Sequence, residues 1–274
     1  MKSLFQCNWY TEVNRTTNRQ LKSKTSYLDT QREAAACLLV DTNTFIIGDA
    51  VLEEQRSFES IGSRSRQVAP LIGSQAHLGA GPNLKKTAAF LDDPLAVALF
   101  AESIKGIIQA ERFLLEERGY ASLEDFFLMW RKNGLNSCCL YSNLDRVAFN
   151  KIDRGDYLRP EGNLFVRFKT QNLYRLGQEQ YLLTGYFSDS RHETSVILKL
   201  KGTTVIEADG GFVRAPNPIC PEADIVLSNL LGVDLKGLAK KEIAAILGKG
   251  QGCVHMIDLV NDCTQILSYL QLSR

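Results

Sequence analysis

One stretch in the second half of the chain decides the predicted fold: Val196-Ile-Leu-Lys-Leu-Lys-Gly-Thr-Thr-Val-Ile-Glu-Ala-Asp209. It consists of two runs rich in β-branched and apolar residues, one on either side of Lys201-Gly202. Such runs around a glycine turn are typical of a β-hairpin. Because two similar runs precede it, the stretch predicts an antiparallel meander with strands at Asn163–Thr170, Gln180–Phe187, Ser195–Leu200 and Thr203–Asp209.

Helical patterns follow this meander. Pro221 suits the first turn of a helix that ends at Gly232, and Gly248 ends a short helix over Leu238–Leu247. Apolar residues at helical spacing predict a longer last helix over Val254–Leu270. Strands followed by helices on one side favour an α+β fold.

The first half of the chain repeats this order of segments at a nearly constant offset. We therefore predict an α+β fold with an internal duplication, in which two copies face each other across a pseudo-twofold. Copy one covers residues 1–117, a helical insert with Cys138-Cys139 covers 118–162, and copy two covers 163–274. The matched pairs include Leu4-Phe5 with Leu164-Phe165, Tyr27 with Tyr186, Arg32 with Arg191, and Gly73 with Gly232.

Composition excludes several classes of protein. The chain has 32 Lys and Arg against 31 Asp and Glu, and this balance predicts neither a nucleic-acid partner nor an anionic membrane partner. The sequence has no run of about 18 apolar residues, so it predicts no membrane span. Its first residues lack the pattern of a secretory signal. Seven cysteines, an odd number in a chain of this size, favour free or metal-bound thiols in a reducing cytoplasm.

Copy two contains a cysteine and histidine cluster that predicts chemistry. Gly250-Gln-Gly-Cys253-Val-His255 stands where the last helix begins, and a helix amino terminus favours a thiolate. Cys220 precedes another helix, and Asp258 lies one turn after His255, where it could orient the imidazole. Copy one has Val97 and Leu99 at the Cys253 and His255 positions, which predicts a degenerate structural copy without a site.

Three further residues are candidate ligands for this cluster. Cys138 and Cys139 of the insert could lie over the site, and His192 precedes a strand at the same end of the predicted sheet. Thiolate and imidazole ligands suit zinc or an iron–sulfur cluster. The other cysteines, Cys7, Cys37 and Cys263, are predicted to be core residues, and His77 is predicted to be solvated in a Gly-rich loop.

Copy two resembles the iron–sulfur scaffold proteins of the IscU and NifU amino-terminal type. The resemblance rests on the strand run from Val196, on Cys220 before a helix, and on Cys253-Val-His255 at the start of the last helix. It implies an IscU-like fold, cluster or metal binding, and other iron–sulfur or metal-handling proteins as partners. Cys220 would match the family's middle cysteine and Cys253/His255 its last ligands, in reversed order. The family's first cysteine is missing, and Asp189 or His192 lies nearest to its place.

The Cys-x-His pattern also resembles the carboxy-terminal motif of a bacterial family without an assigned function. Three functions therefore remain open at the level of sequence. The first is a metal or iron–sulfur protein with a site on Cys220, Cys253 and His255. The second is a cysteine-dependent enzyme in which Cys253 acts with His255 and Asp258 on a small substrate in a cleft between the copies. The third is a partner-binding regulatory protein.

Overall fold

The computed structural model describes residues 1–57, 61–147, 162–248 and 250–270. Its nine strands form one sheet in the order β5-β4-β3-β2-β1-β6-β7-β8-β9. Neighbouring strands from β2 to β5 and from β7 to β9 pair antiparallel. The strands are β1 Lys2–Thr17, β2 Gln20–Asp29, β3 Glu33–Asp41, β4 Ile47–Arg56, β5 Ile61–Gln67, β6 Asn163–Gly177, β7 Gln180–Asp189, β8 Glu193–Lys201 and β9 Thr204–Arg214.

The predicted architecture, a duplicated IscU-like α+β unit with a pseudo-twofold, is wrong. The described structure is dominated by the nine-stranded sheet, in which β1 and β6 are neighbours. A composition rich in β-branched and apolar residues predicted the strands of the second meander correctly. It carries no information about which strand edges pair, because edge pairing uses backbone groups that every residue has.

Helices follow each group of strands. The α-helices are α1 Gly81–Leu91, α2 Pro94–Ala110, α3 Leu123–Gly134, α4 Cys139–Ser142, α5 Lys240–Leu247 and α6 Val254–Gln265. The helix predicted after Pro221 is a 3₁₀ helix, Cys220–Leu230, and the predicted last helix changes to 3₁₀ geometry over Ile266–Leu270. Residues 148–161 of the predicted insert lie outside the described residues.

The chain divides into two compact units. One, here called the amino-terminal unit, comprises Asn8–Leu128 and Tyr157–Phe168. In this unit α2 packs on β2 and β3, and its buried side chains include Leu99, Phe100 and Ile107. Asp93 caps α2 by accepting a 3.1 Å hydrogen bond from the Ala96 amide, which satisfies one of the free amides of the first turn.

The other, here called the carboxy-terminal unit, comprises Met1–Cys7, Met129–Asp156 and Lys169–Arg274. Here α6 packs on β7 and β8, and α5 packs on α6. The packing of α6 on β7 is close because Gly185 has no side chain. A Cβ at Gly185 would lie 2.6 Å from Cys263 Sγ and 2.9 Å from Leu259 Cδ1.

The hairpins β2–β3 and β7–β8 have the same register. Gln20 pairs with Asp41, and Gln180 pairs with Lys201, an offset of 160 residues at both partners. By that register the counterpart of Tyr27 is Phe187, and the sequence match to Tyr186 is one residue off. A slip of one residue exchanges the two faces of a strand. The sequence match therefore placed buried Tyr27 over exposed Tyr186.

No helix in the described part of the chain is long and apolar enough to cross a membrane.

The packing of α6 on β7 gives a stability prediction. Gly185→Ala should lower the free energy of unfolding by about 1–3 kcal/mol, because Cys263 and Leu259 must move away from the new Cβ. Gly177→Ala at the end of β6 is the matched control, since nothing lies within 4 Å of a Cβ there. Urea unfolding of both variants measures the difference. Equal stabilities would show that the helix and strand can separate at no cost.

Candidate thiol and imidazole site

The loop before α6 requires glycine at two positions. Gly250 has φ +80, a left-handed conformation that favours glycine. At Gly252 a Cβ would collide with the Leu247 carbonyl at the end of α5. Together these glycines allow a tight turn from α5 to α6, and Cys253 is left at the position that precedes the first turn of α6, with extended backbone.

Cys253 and His255 lie side by side. Cys253 Sγ is 3.6 Å from His255 Nδ1, although the two residues are only two positions apart. The imidazole of His255 also packs against the Phe187 ring, with centroids 5.4 Å apart, and against the His192 ring, with centroids 4.1 Å apart. The helix start therefore brings one thiol and two imidazoles together.

His192 is held by a carboxylate in the turn between β7 and β8. Asp189 Oδ1 accepts hydrogen bonds of 2.8 Å from the Arg191 and His192 amides, and it lies 3.0 Å from His192 Nδ1. Asp189 and His192 are both buried, with 6% and 7% of their surface exposed. Because a carboxylate only accepts hydrogen bonds, Nδ1 carries the proton of this imidazole.

Cys220 begins the 3₁₀ helix that follows β9, and its amide donates a 3.0 Å hydrogen bond to the Asn217 carbonyl. Only 8% of its surface is exposed. Burial raises the pKa of the Cys220 thiol to about 12, and the nearby thiols of Cys253, Cys138 and Cys139 add to the increase. Cys220 thus shares its electrostatic surroundings with the other cysteines.

Cys138 and Cys139 reach this group from the insert. The Cys139 amide donates a 2.8 Å hydrogen bond to the Gly252 carbonyl, directly before Cys253. The Cys139 thiol donates a 3.5 Å hydrogen bond to the Ile219 carbonyl, directly before Cys220. The start of α4 therefore lies against the segment that carries Cys253 and the segment that carries Cys220.

The Cys253 thiol is mainly protonated at neutral pH. Burial raises its pKa to about 11, although hydrogen bonds from the Met256 and His255 amides favour the thiolate. The amides of the helix start lower this pKa as expected, but desolvation of the charged form outweighs them, so the pKa is raised.

Asp258, predicted to orient His255, forms an ion pair with Lys240 at the start of α5. Sequence reasoning noted Asp189 only as a residue near the place of a missing cysteine, and the structure gives it the role of holding an imidazole. An Asp three residues before a His in a tight turn is the signal that could have identified it.

In the amino-terminal unit, charged side chains join the turn between β2 and β3 to the start of α2. Asp29 Oδ1 accepts from the Gln31 and Arg32 amides at 2.6 Å, as Asp189 does in its own turn. The Arg32 guanidinium binds Asp93, the capping residue of α2. At an offset of 160 residues, Arg32 corresponds to His192 and Asp93 to Cys253. Asp93 and Cys253 each precede the first turn of a helix, whereas Val97 lies inside α2.

The remaining candidates have structural surroundings. Cys7 and Cys263 are buried as predicted, with 1% and 0% of their surface exposed, and Cys37 is half-buried on β3. His77, predicted to be solvated, is largely buried, and its Nε2 lies 3.1 Å from the carboxylate of Glu111. None of the seven cysteines, all of which lie in the described part of the chain, forms a disulfide.

Among residues 1–57, 61–147, 162–248 and 250–270, no three His, Cys, Asp or Glu side chains form a group already arranged to hold a metal ion. The described site thus contains a close thiol–imidazole pair, a supported second imidazole and three more thiols in the surrounding segments.

Comparison with known proteins finds a match between part of the chain and a family of unassigned role. Residues 157–268 match a family described as "Protein of unknown function (DUF2889)". No curated protein and no solved structure matches the chain. The resemblance to the IscU and NifU scaffold proteins is therefore wrong, since the family found in that part of the chain is a different one. The resemblance relied on a cysteine before a helix and a Cys/His pair at a helix start, which unrelated folds can share.

The raised pKa of Cys253 predicts the pH dependence of stability. The folded chain holds this proton with a pKa of about 11 against an ordinary value of 9.0. In the presence of a chelator, the free energy of unfolding should therefore fall between pH 9 and 11, by up to about 3 kcal/mol from this group. Cys253→Ala should flatten that decline, and Val254→Ala, which removes no titrating group, should keep it. Parallel declines in all three proteins would contradict this account.

Proposed function

We propose that the chain is a metal-binding protein whose site consists of Cys220, Cys253 and His255, with zinc or an iron–sulfur cluster bound. The observation that carries the proposal is the 3.6 Å separation of Cys253 Sγ and His255 Nδ1. Two ligands of one tetrahedral zinc, at about 2.3 Å for sulfur and 2.0–2.1 Å for nitrogen, are about 3.6 Å apart. The pair is thus already spaced as two ligands of a single ion.

The third ligand, Cys220, is proposed to turn towards the ion as it binds. Its thiol is buried and close enough to Cys253 for the charge of one to raise the pKa of the other. A metal replaces the thiol protons, and a bound thiolate no longer has an uncompensated charge. Binding should therefore release protons and become tighter as the pH rises.

We propose that the protein works in the cytoplasm, because a site of this kind needs reduced thiols and none of the seven cysteines, all in the described part of the chain, forms a disulfide.

A cysteine-dependent enzyme is the second candidate, favoured by the contact of Cys253 with His255 and by the carboxylate that holds His192. One observation weakens it. The thiol is mainly protonated, with a pKa of about 11. Loss of turnover after alkylation of Cys253 in metal-free protein would favour the enzyme.

The metal proposal predicts the effect of removing single ligands. Protein purified without oxygen should contain stoichiometric metal by elemental analysis, and Cys253→Ala and His255→Ala should lose it. The matched control is Cys37→Ala, which removes a half-buried thiol of the amino-terminal unit and should keep the metal. Truncation of a small buried thiol costs on the order of 1 kcal/mol, so thermal melts should show folded variants. Full metal retention in both ligand variants would show that the site is elsewhere.

A further inference from the structure

We propose that His192 is the fourth ligand of this site, binding through Nε2, and that Asp189 is the carboxylate that positions it. This inference rests on the proposed metal function and names a ligand set of two cysteines and two histidines. That set is typical of tetrahedral zinc sites closed to solvent.

The tautomer of His192 supports the assignment. Asp189 Oδ1 lies 3.0 Å from Nδ1 and accepts a hydrogen bond from it, so the lone pair of the neutral imidazole is on Nε2. Histidines that bind metals almost always donate their other ring nitrogen to a carboxylate, a carbonyl or water in this way. Asp189 is itself fixed by two backbone amides, which makes it a rigid support.

The position of His192 also fits. Its ring centroid is 4.1 Å from that of His255, whose Nδ1 faces the Cys253 thiol. In the amino-terminal unit, the side chain at the corresponding position, Arg32, reaches the capping residue of α2 with hydrogen bonds of 3.0 and 2.5 Å. The turn therefore directs the long side chain of Arg32 towards the residue that precedes the helix.

The two insert cysteines fit the fourth position less well. The Cys139 thiol is directed to the Ile219 carbonyl, at 3.5 Å. Cys138 is half-buried, and no carboxylate contact comparable to that between Asp189 and His192 is described for it. With His192 as ligand, the insert covers the site and contributes no ligand to it.

The test uses the full chain and measures zinc affinity by competition with a chromogenic chelator. Asp189→Asn places an amide donor or a weaker acceptor opposite Nδ1, whereas the turn amides keep an oxygen acceptor. We expect a 10- to 100-fold loss of zinc affinity, the usual effect of losing such a supporting carboxylate. Asp29→Asn makes the same change in the same kind of turn of the other unit, and it should leave the affinity unchanged.

Cobalt provides a second readout, because its visible spectrum reports the ligand set and not only the stability of the turn. His192→Ala should change the spectrum of bound Co²⁺ and lower its affinity. His192→Gln, which keeps an uncharged polar side chain at this buried position, should fold and also lose the wild-type spectrum. Circular dichroism of each variant checks the fold.

The outcomes separate this inference from the proposed function. An unchanged spectrum and affinity in the His192 variants, with metal still lost in Cys253→Ala, would overturn the role of His192 alone. An equal loss of affinity in Asp29→Asn and Asp189→Asn would overturn the positioning role of Asp189. Wild-type protein that binds neither Zn²⁺ nor Co²⁺ would overturn both the inference and the proposed function.

Discussion

The close packing of α6 on β7 at Gly185 is the constraint on which the site depends. With no side chain between them, Cys263 and Leu259 rest directly on the strand. The amino terminus of α6 is thereby fixed beside the end of β7, where the turn carries Asp189 and His192. A helix held farther away would separate the His192 and His255 rings, whose centroids are now 4.1 Å apart.

Sequence patterns predicted the local structure well. Runs of β-branched and apolar residues predicted the strands of the second meander, and glycine and proline positions predicted the helix boundaries to within a few residues. The chemistry-bearing residues at helix starts were identified because thiols and imidazoles are conspicuous in any sequence. The order of the sheet was not predictable in this way, since strand pairing depends on backbone edges that all residues share.

The exact correspondence of the two meanders was also beyond a comparison of identities. Residue identity matched Tyr27 to Tyr186, but the register of the two hairpins aligns it with Phe187. Matching identical residues aligned Tyr27 with an exposed tyrosine on the opposite face of the strand. Matching burial would have aligned it with the buried aromatic ring of Phe187. The same error concealed the relation between Arg32 and His192, and with it the importance of the carboxylate in the turn.

In the two units, the contact between the hairpin turn and the start of the helix thus depends on different interactions. The guanidinium of Arg32 and the carboxylate of Asp93 are charged across the physiological pH range, so their attraction is always present. At the corner of Cys253 and His192, a thiol and an imidazole stand in place of that carboxylate and guanidinium. Local opening of a protein follows its weakest contacts, so the amino terminus of α6 should exchange amide hydrogens sooner than that of α2 unless something occupies the corner.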